Sequence, residues 1–141
     1  MSTRIILIRH GETDWNRGRR YCGFSDVDLN SKGIEQARKL CGRLSREKID
    51  RVYSSDSIRA LNFARIIFKG SVIEAMPELR EMNFGIFEGL THEEIMKKPY
   101  KIYTKWLDNP FCITVPEGEG LCDFKKRIEK VFEDIVAVLE A

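Results

Sequence analysis

The sequence predicts an α/β protein, a mostly parallel sheet with helices on both faces. Three observations predict it. Short apolar runs, Ile5-Ile6-Leu7-Ile8, Val52-Tyr53 and Val72-Ile73, alternate with longer stretches of helical period. The first run is continuously apolar, the pattern of a strand buried on both faces. The 141 residues are 43% hydrophobic and 33% charged, which suits a single domain spanning residues 1–141 with enough apolar content for a core.

Taken in order, Arg4 to Arg9 reads as the first strand. His10 to Leu29 reads as a long loop rich in Gly, Asn, Asp and Arg, and long irregular loops are usually functional. Asn30 is a good helix N-cap, and Ile34, Ala37, Leu40, Cys41 and Leu44 follow at helical spacing to about Lys48. Arg51 to Ser54 is a second strand. Ser55 or Asp56 caps the next helix, which turns Leu61, Ala64, Ile67 and Phe68 inward and ends near Gly70. Val72 and Ile73 give a third strand, and Met76 to Gly85 is extended around Pro77. Thr91 with Glu94 makes a capping box for a short helix broken at Pro99, and a further helix runs to about Leu107. From Leu121 onward, Phe124, Ile128, Val131, Phe132, Ile135, Val138 and Leu139 mark a long amphipathic helix.

Composition narrows the function. A net charge of +2 is too small a bias for a nucleic-acid or membrane-surface partner. No apolar run approaches the ~20 residues of a membrane span, so a cytoplasmic protein is expected. Cys22, Cys41, Cys112 and Cys122 form no CxxC pair, so no metal site is expected, and reduced thiols are.

The candidate chemistry lies at the end of the first strand. Ligands of open α/β sheets bind beyond the carboxyl ends of strands, and Arg9-His10-Gly11 falls there. A histidine of ordinary pKa can be a nucleophile or an acid/base, and arginine offers a planar fork to phosphate oxygens. Gly11 lets backbone approach a ligand. On these grounds alone, His10 is as well read as a structural hydrogen bonder. Arg17, Arg19 and Arg20 could attract an anion, and equally well form a solvated face.

Arg9-His10-Gly11-Glu12-Thr13 with Trp15-Asn16 resembles the signature of the histidine phosphatase superfamily. Gly23-Phe24-Ser25-Asp26-Val27-Asp28-Leu29-Asn30, with Gly33 and Gln36-Ala37, is similar to the loop and helix that follow it. Val52 to Ala60 resembles the family's second motif. Leu79 to Gly85 with Glu88-Gly89-Leu90 resembles its third, and Pro116-Glu117-Gly118-Glu119 a weaker fourth. The resemblance implies a phosphoglycerate mutase-like fold and a role for each matching residue. His10 is the phosphorylated nucleophile, and Arg9 and Arg59 clamp the transferred group. Glu81 protonates the leaving oxygen. Asn16 hydrogen-bonds the phosphoryl group, and Thr13, Cys22 and Gly23 lie on the substrate side. Phosphoryl transfer needs positioning and charge stabilisation most, and this set supplies both with no cofactor.

The family carries a second histidine on a later strand. This chain has only His10 and His92, and His92 follows Thr91 at a helix start, where a surface residue is expected. The chain therefore reads as truncated at its C-terminus relative to the family, or as a naturally short, inactive relative. The compact Leu90–Pro116 segment and the third motif look more like the phosphatase branch, with alpha-ribazole phosphatases the nearest in kind and sugar or nucleotide phosphatases close behind. The expected function is hydrolysis of a small phosphomonoester through a phosphohistidine. The alternatives are a phosphoglycerate mutase and a catalytically dead phosphate-binding or interaction protein. The expected partner is the small phosphorylated substrate, with a homodimer the one assembly considered.

Overall fold

The chain becomes regular where side chains can cap a helix. The computed structural model describes residues 3–140. Thr13 starts α1 (Asp14–Arg17): its hydroxyl accepts from the Asn16 N–H, and Asn16 Oδ1 accepts from the Thr13 N–H, each at 3.1 Å. This reciprocal capping box puts a helical turn inside the span expected to be loop. Asn30 caps α2 (Ser31–Leu44), accepting from the Gly33 N–H at 2.9 Å; the helix stops short of the expected Lys48.

A βαβ unit follows. β1 (Val52–Ser55) and β2 (Ile73–Met76) pair in parallel, in register from Val52↔Ile73 to Ser55↔Met76, with α3 (Ile58–Ile67) between them. α3 packs on both strands and α2 packs on α3. The cap of α3 is Ser57, one or two residues later than expected. Both expected caps are otherwise engaged: Ser55 Oγ accepts from the Ser57 N–H, and the Asp56 carboxylate holds Arg80.

The Met76–Gly85 segment expected to be extended contains one 3-10 turn, Pro77–Leu79, and a second, Gly85–Phe87, begins at its end. The Thr91–Glu94 capping box forms as read, opening α4 (His92–Met96). α5 (Lys101–Asp108) and the long α6 (Leu121–Glu140) complete the chain.

One expectation needs correcting. Arg4 to Arg9 is not a buried strand. Among the described residues no segment pairs with it, and Leu7 is 84% exposed, with Ile5 and Ile6 also outside the core. An apolar run states a preference for burial; a strand also needs a ladder partner, and β1 pairs with β2 instead.

Two apolar clusters result. One joins Ala37 of α2 to Phe63 and Ile67 of α3, with Ile8 and Leu29 against it. The other gathers Met82, Phe87, Ile95, Tyr103 and Val115, with Tyr21, Phe84, Trp106 and Phe124 packed around them. Most ring pairs of this second cluster meet edge-on or tilted, Phe87 and Tyr103 at 4.9 Å between centroids, while Tyr103 and Trp106 stack. His10 follows directly on the first cluster through Ile8, and Glu81 adjoins the second through Met82.

Candidate active site

His10 is half-buried, and its ring is oriented by its own backbone. Nδ1 lies 2.7 Å from the Gly11 carbonyl oxygen. A carbonyl can only accept, so Nδ1 carries the proton and Nε2 of the neutral ring keeps its lone pair. Burial lowers the pKa of His10. The Gly11 hydrogen bond opposes that, the charges of Arg59 and Arg9 lower it further, and Glu81 raises it. The charges of Arg59, Arg9 and Glu81 thus each reach the His10 ring. A neutral imidazole with a bare Nε2 can act as a nucleophile.

The other expected residues are placed less uniformly. Arg9 is exposed and lines a cleft of about 330 Å³ with Asn16, Arg19, Arg20, Tyr21 and His92. Thr13, expected on the substrate side, is 0% exposed and uses its hydroxyl to cap α1, so it holds Asn16 from behind. Arg59 is 2% exposed; Nη2 donates to the Gly23 carbonyl at 2.7 Å and Nη1 to that of Ser25 at 3.0 Å. The expected clamp therefore also grips a loop. Cys22 is half-buried beside that loop, and burial raises its thiol pKa while Arg59 lowers it. Glu81 is exposed, and its Oε1 accepts from the Met82 N–H at 2.8 Å.

Three contributors were not singled out from sequence. Arg127 of α6 donates to the carbonyls of Glu78, Arg80 and Glu81, and makes a two-pronged pair with Glu119 at 2.9 and 2.8 Å. It thereby fixes the backbone that bears Glu81. Glu88 collects the N–H groups of the Gly23–Ser25 loop. His92, read as a surface residue, is exposed as expected but also borders the cleft, and its Nδ1 meets the Tyr103 hydroxyl at 2.8 Å. That hydroxyl lies 2.9 Å from the hydroxyl of Tyr21, another residue of the cleft wall. Among the described residues no group of three or more His, Cys, Asp or Glu side chains could hold a metal ion, and no helix is long and apolar enough to cross a membrane.

Residues 5–140 match the histidine phosphatase superfamily (branch 1). This chain belongs to that family. Among its histidine phosphatase relatives, phosphoserine phosphatase 1 of Hydrogenobacter thermophilus is 34% identical over 134 residues, covering 94% of this chain and 64% of that protein. Phosphoglycerate mutase-like protein 4 of Arabidopsis thaliana is 40% identical over 118 residues, 81% of this chain and 51% of its own length. The crystal structure of the alpha-ribazole phosphatase from Shigella flexneri superposes with a TM-score of 0.89 at 31% identity, covering 94% of this chain and 67% of that one. The histidine phosphatase fold is thereby shown, and the chain spans less than two thirds of the length of either curated relative.

Proposed function

We propose that this chain carries the phosphoryl-accepting machinery of a phosphomonoesterase, with His10 as nucleophile. The observation that carries the reading is the Nδ1 contact to the Gly11 carbonyl, which aims a bare Nε2 away from the backbone. Nε2 attacks phosphorus, the ester P–O bond breaks, and the Glu81 carboxyl gives its proton to the departing alkoxide. Water then attacks phosphorus, the Nε2–P bond breaks and returns its electron pair to the imidazole, and the Glu81 carboxylate takes the water's proton. Arg9 and Arg59 offset charge on the equatorial oxygens, and Asn16 donates to one of them. Cys22 and Gly23 form the substrate-side wall.

Arg9, Arg19 and Arg20 line a cleft that begins one residue before His10 and suit an anionic ester, while His10, Arg59 and Glu81 lie outside its lining. Relatives named for phosphoserine and for alpha-ribazole support a hydrolase and make both esters the first candidates to assay. Brief mixing with a labelled phosphomonoester should give an acid-labile phosphohistidine, and His10→Ala should remove label and turnover together. Undiminished labelling in that variant refutes the assignment. Interconversion of phosphoglycerates without phosphate release would instead place the protein with the mutases. Since burial lowers the His10 pKa, the acid limb of kcat/KM assigned to this ring should lie below pH 6.5.

A further inference from the structure

The loop from Gly23 to Ser25 is held by opposite charges on its two kinds of backbone group. Glu88 Oε1 accepts from the N–H of Gly23 at 2.9 Å and of Phe24 at 3.0 Å. Its Oε2 accepts from Gly23 at 3.1 Å and Ser25 at 3.2 Å. Oε1 also takes the N–H of Phe84, at 3.0 Å. The carbonyls of Gly23 and Ser25 face the other way, onto the guanidinium of Arg59.

Successive N–H groups converging on one point form a nest for an anion. Here the chain supplies the anion itself. The fit leaves no slack: a Cβ on Gly23 would lie 1.9 Å from the Met82 carbonyl oxygen and 2.5 Å from Glu88 Oε1. Burial disfavours the ionised carboxyl, yet the pKa of Glu88 is lowered, because hydrogen bonds from Ser25, Gly23, Phe84 and Phe24 favour the charged form. Outside the nest, the Phe24 ring lies under the guanidinium of Arg80 at 5.1 Å and that of Arg127 at 5.9 Å.

We propose that Glu88 is a positioning residue of the active site: its negative charge fixes the Cys22–Ser25 wall and, through that wall's carbonyls, the direction of the Arg59 guanidinium. This rests on the reading of Arg59 as a phosphoryl clamp. Both carboxylate oxygens of Glu88 are taken by backbone N–H groups, so its influence passes through the Gly23–Ser25 loop and Phe84. Glu88→Gln keeps size and shape but removes the charge and turns one oxygen into an N–H donor facing N–H donors. The loop then loses its anion, and Arg59 loses its two fixed acceptors.

The test has an activity arm and an arm that needs no activity. With p-nitrophenyl phosphate and an alkyl phosphate, Glu88→Gln should raise KM by about tenfold or more, the scale of one lost charge-assisted hydrogen bond. The ratio of kcat between the two esters, which reports Glu81, should stay as in the parent. Independently, iodoacetamide labelling followed by peptide mapping should show Cys22 reacting about tenfold faster, on the same scale. Cys41 on α2 should react at its parent rate, which separates local loosening from unfolding. Glu88→Asp, which keeps the charge with a shorter reach, should fall between, and it carries both measurements if the glutamine variant does not fold. A folded Glu88→Gln protein with unchanged KM and unchanged Cys22 labelling overturns the proposal. If the parent turns over no phosphomonoester, the phosphatase reading fails, and the Cys22 rates still decide whether Glu88 holds the loop.

Discussion

The two regions that meet at the site are fixed by different forces. His10 extends from the mainly aliphatic cluster of α2 and α3, whose buried members Ala37, Phe63 and Ile67 are uncharged. Glu81 and the Cys22–Ser25 wall belong to the aromatic region, where Arg127, Glu119, Arg80, Asp56 and Glu88 tie backbone and side chains together. Contact by shape is indifferent to pH and salt and sensitive to volume. Contact by charge is the reverse. The nucleophile's side should therefore answer to changes of size, and the proton donor's side to changes of charge.

The sharpest way to break this contrast is at Glu81 itself. Glu81→Gln keeps volume and removes the proton, so turnover of esters with poor leaving groups should fall by ~10²–10⁴-fold, and activated aryl phosphates should suffer less. Steady-state rates across a leaving-group series check it, and equal losses across the series would sink the acid role.

A smaller effect should appear at Arg127. Arg127→Met preserves bulk but frees Glu119 and three carbonyls, and should cost about 1–3 kcal/mol in urea unfolding, discounted for partial exposure of the pair. The pH dependence carries a sign. Arg127 lowers the Glu119 carboxyl below 4.5, and Arg80 lowers Asp56 below 3.8. A depressed folded-state pKa contributes stability above the unfolded value, which is lost as pH falls through the folded one. Parent stability should thus drop from about pH 4.5 downward, and Arg127→Met should lose the Glu119 share of that slope. Parallel acid curves for parent and variant would contradict it.

The smallest effects sharpen the contrast most finely. Thr13 and Thr91 cap α1 and α4 with the same reciprocal geometry, so each Thr→Ala should cost ~0.5–2 kcal/mol. Only Thr13→Ala should also weaken inorganic phosphate binding, since Asn16 shares its box and lines the cleft. Equal phosphate affinity in the two variants, measured by calorimetry, would detach the α1 cap from the site.

What the sequence made legible was mostly local. Asn30 before α2, the Thr91–Glu94 box and the apolar stripe of α6 depend on residues within a few positions, and all three elements start where read. The α/β class followed from alternation, and β1, α3 and β2 bear it out. Failures came where a partner is distant. The Arg4–Arg9 run advertised burial without naming a neighbour. Asp56 looked like a cap because nothing nearby shows that Arg80 engages it. At the site, three residues named from the motifs, Arg9, Arg59 and Glu81, carry charges that act on His10. Glu88 stood in the third motif only as a letter, because all but one of its backbone N–H partners are over sixty residues away. Arg127 is one basic residue among several on α6, and only tertiary packing singles it out. A signal for α1 was present, Thr13 followed three positions later by Asn16, but the surrounding glycine and arginine suggested a loop.

The contact under the nucleophile has a mechanical consequence. A Cβ on Gly11 would meet the Gly33 carbonyl at 2.7 Å and the Phe63 ring at 2.7 Å, and a Cβ on Gly33 would meet the Glu12 carbonyl at 2.3 Å. The chain beside His10 thus rests on the first turn of α2 backbone to backbone, with no side chain between to compress or rotate. Such a joint has no spring in it. Any rigid shift of α2, from a larger residue at Leu40 or a tighter one at Leu44, should reach the imidazole undamped. The helix then works as a lever whose short arm is the reactive ring, and its far end is where the position of that ring can be tuned without touching a residue of the site.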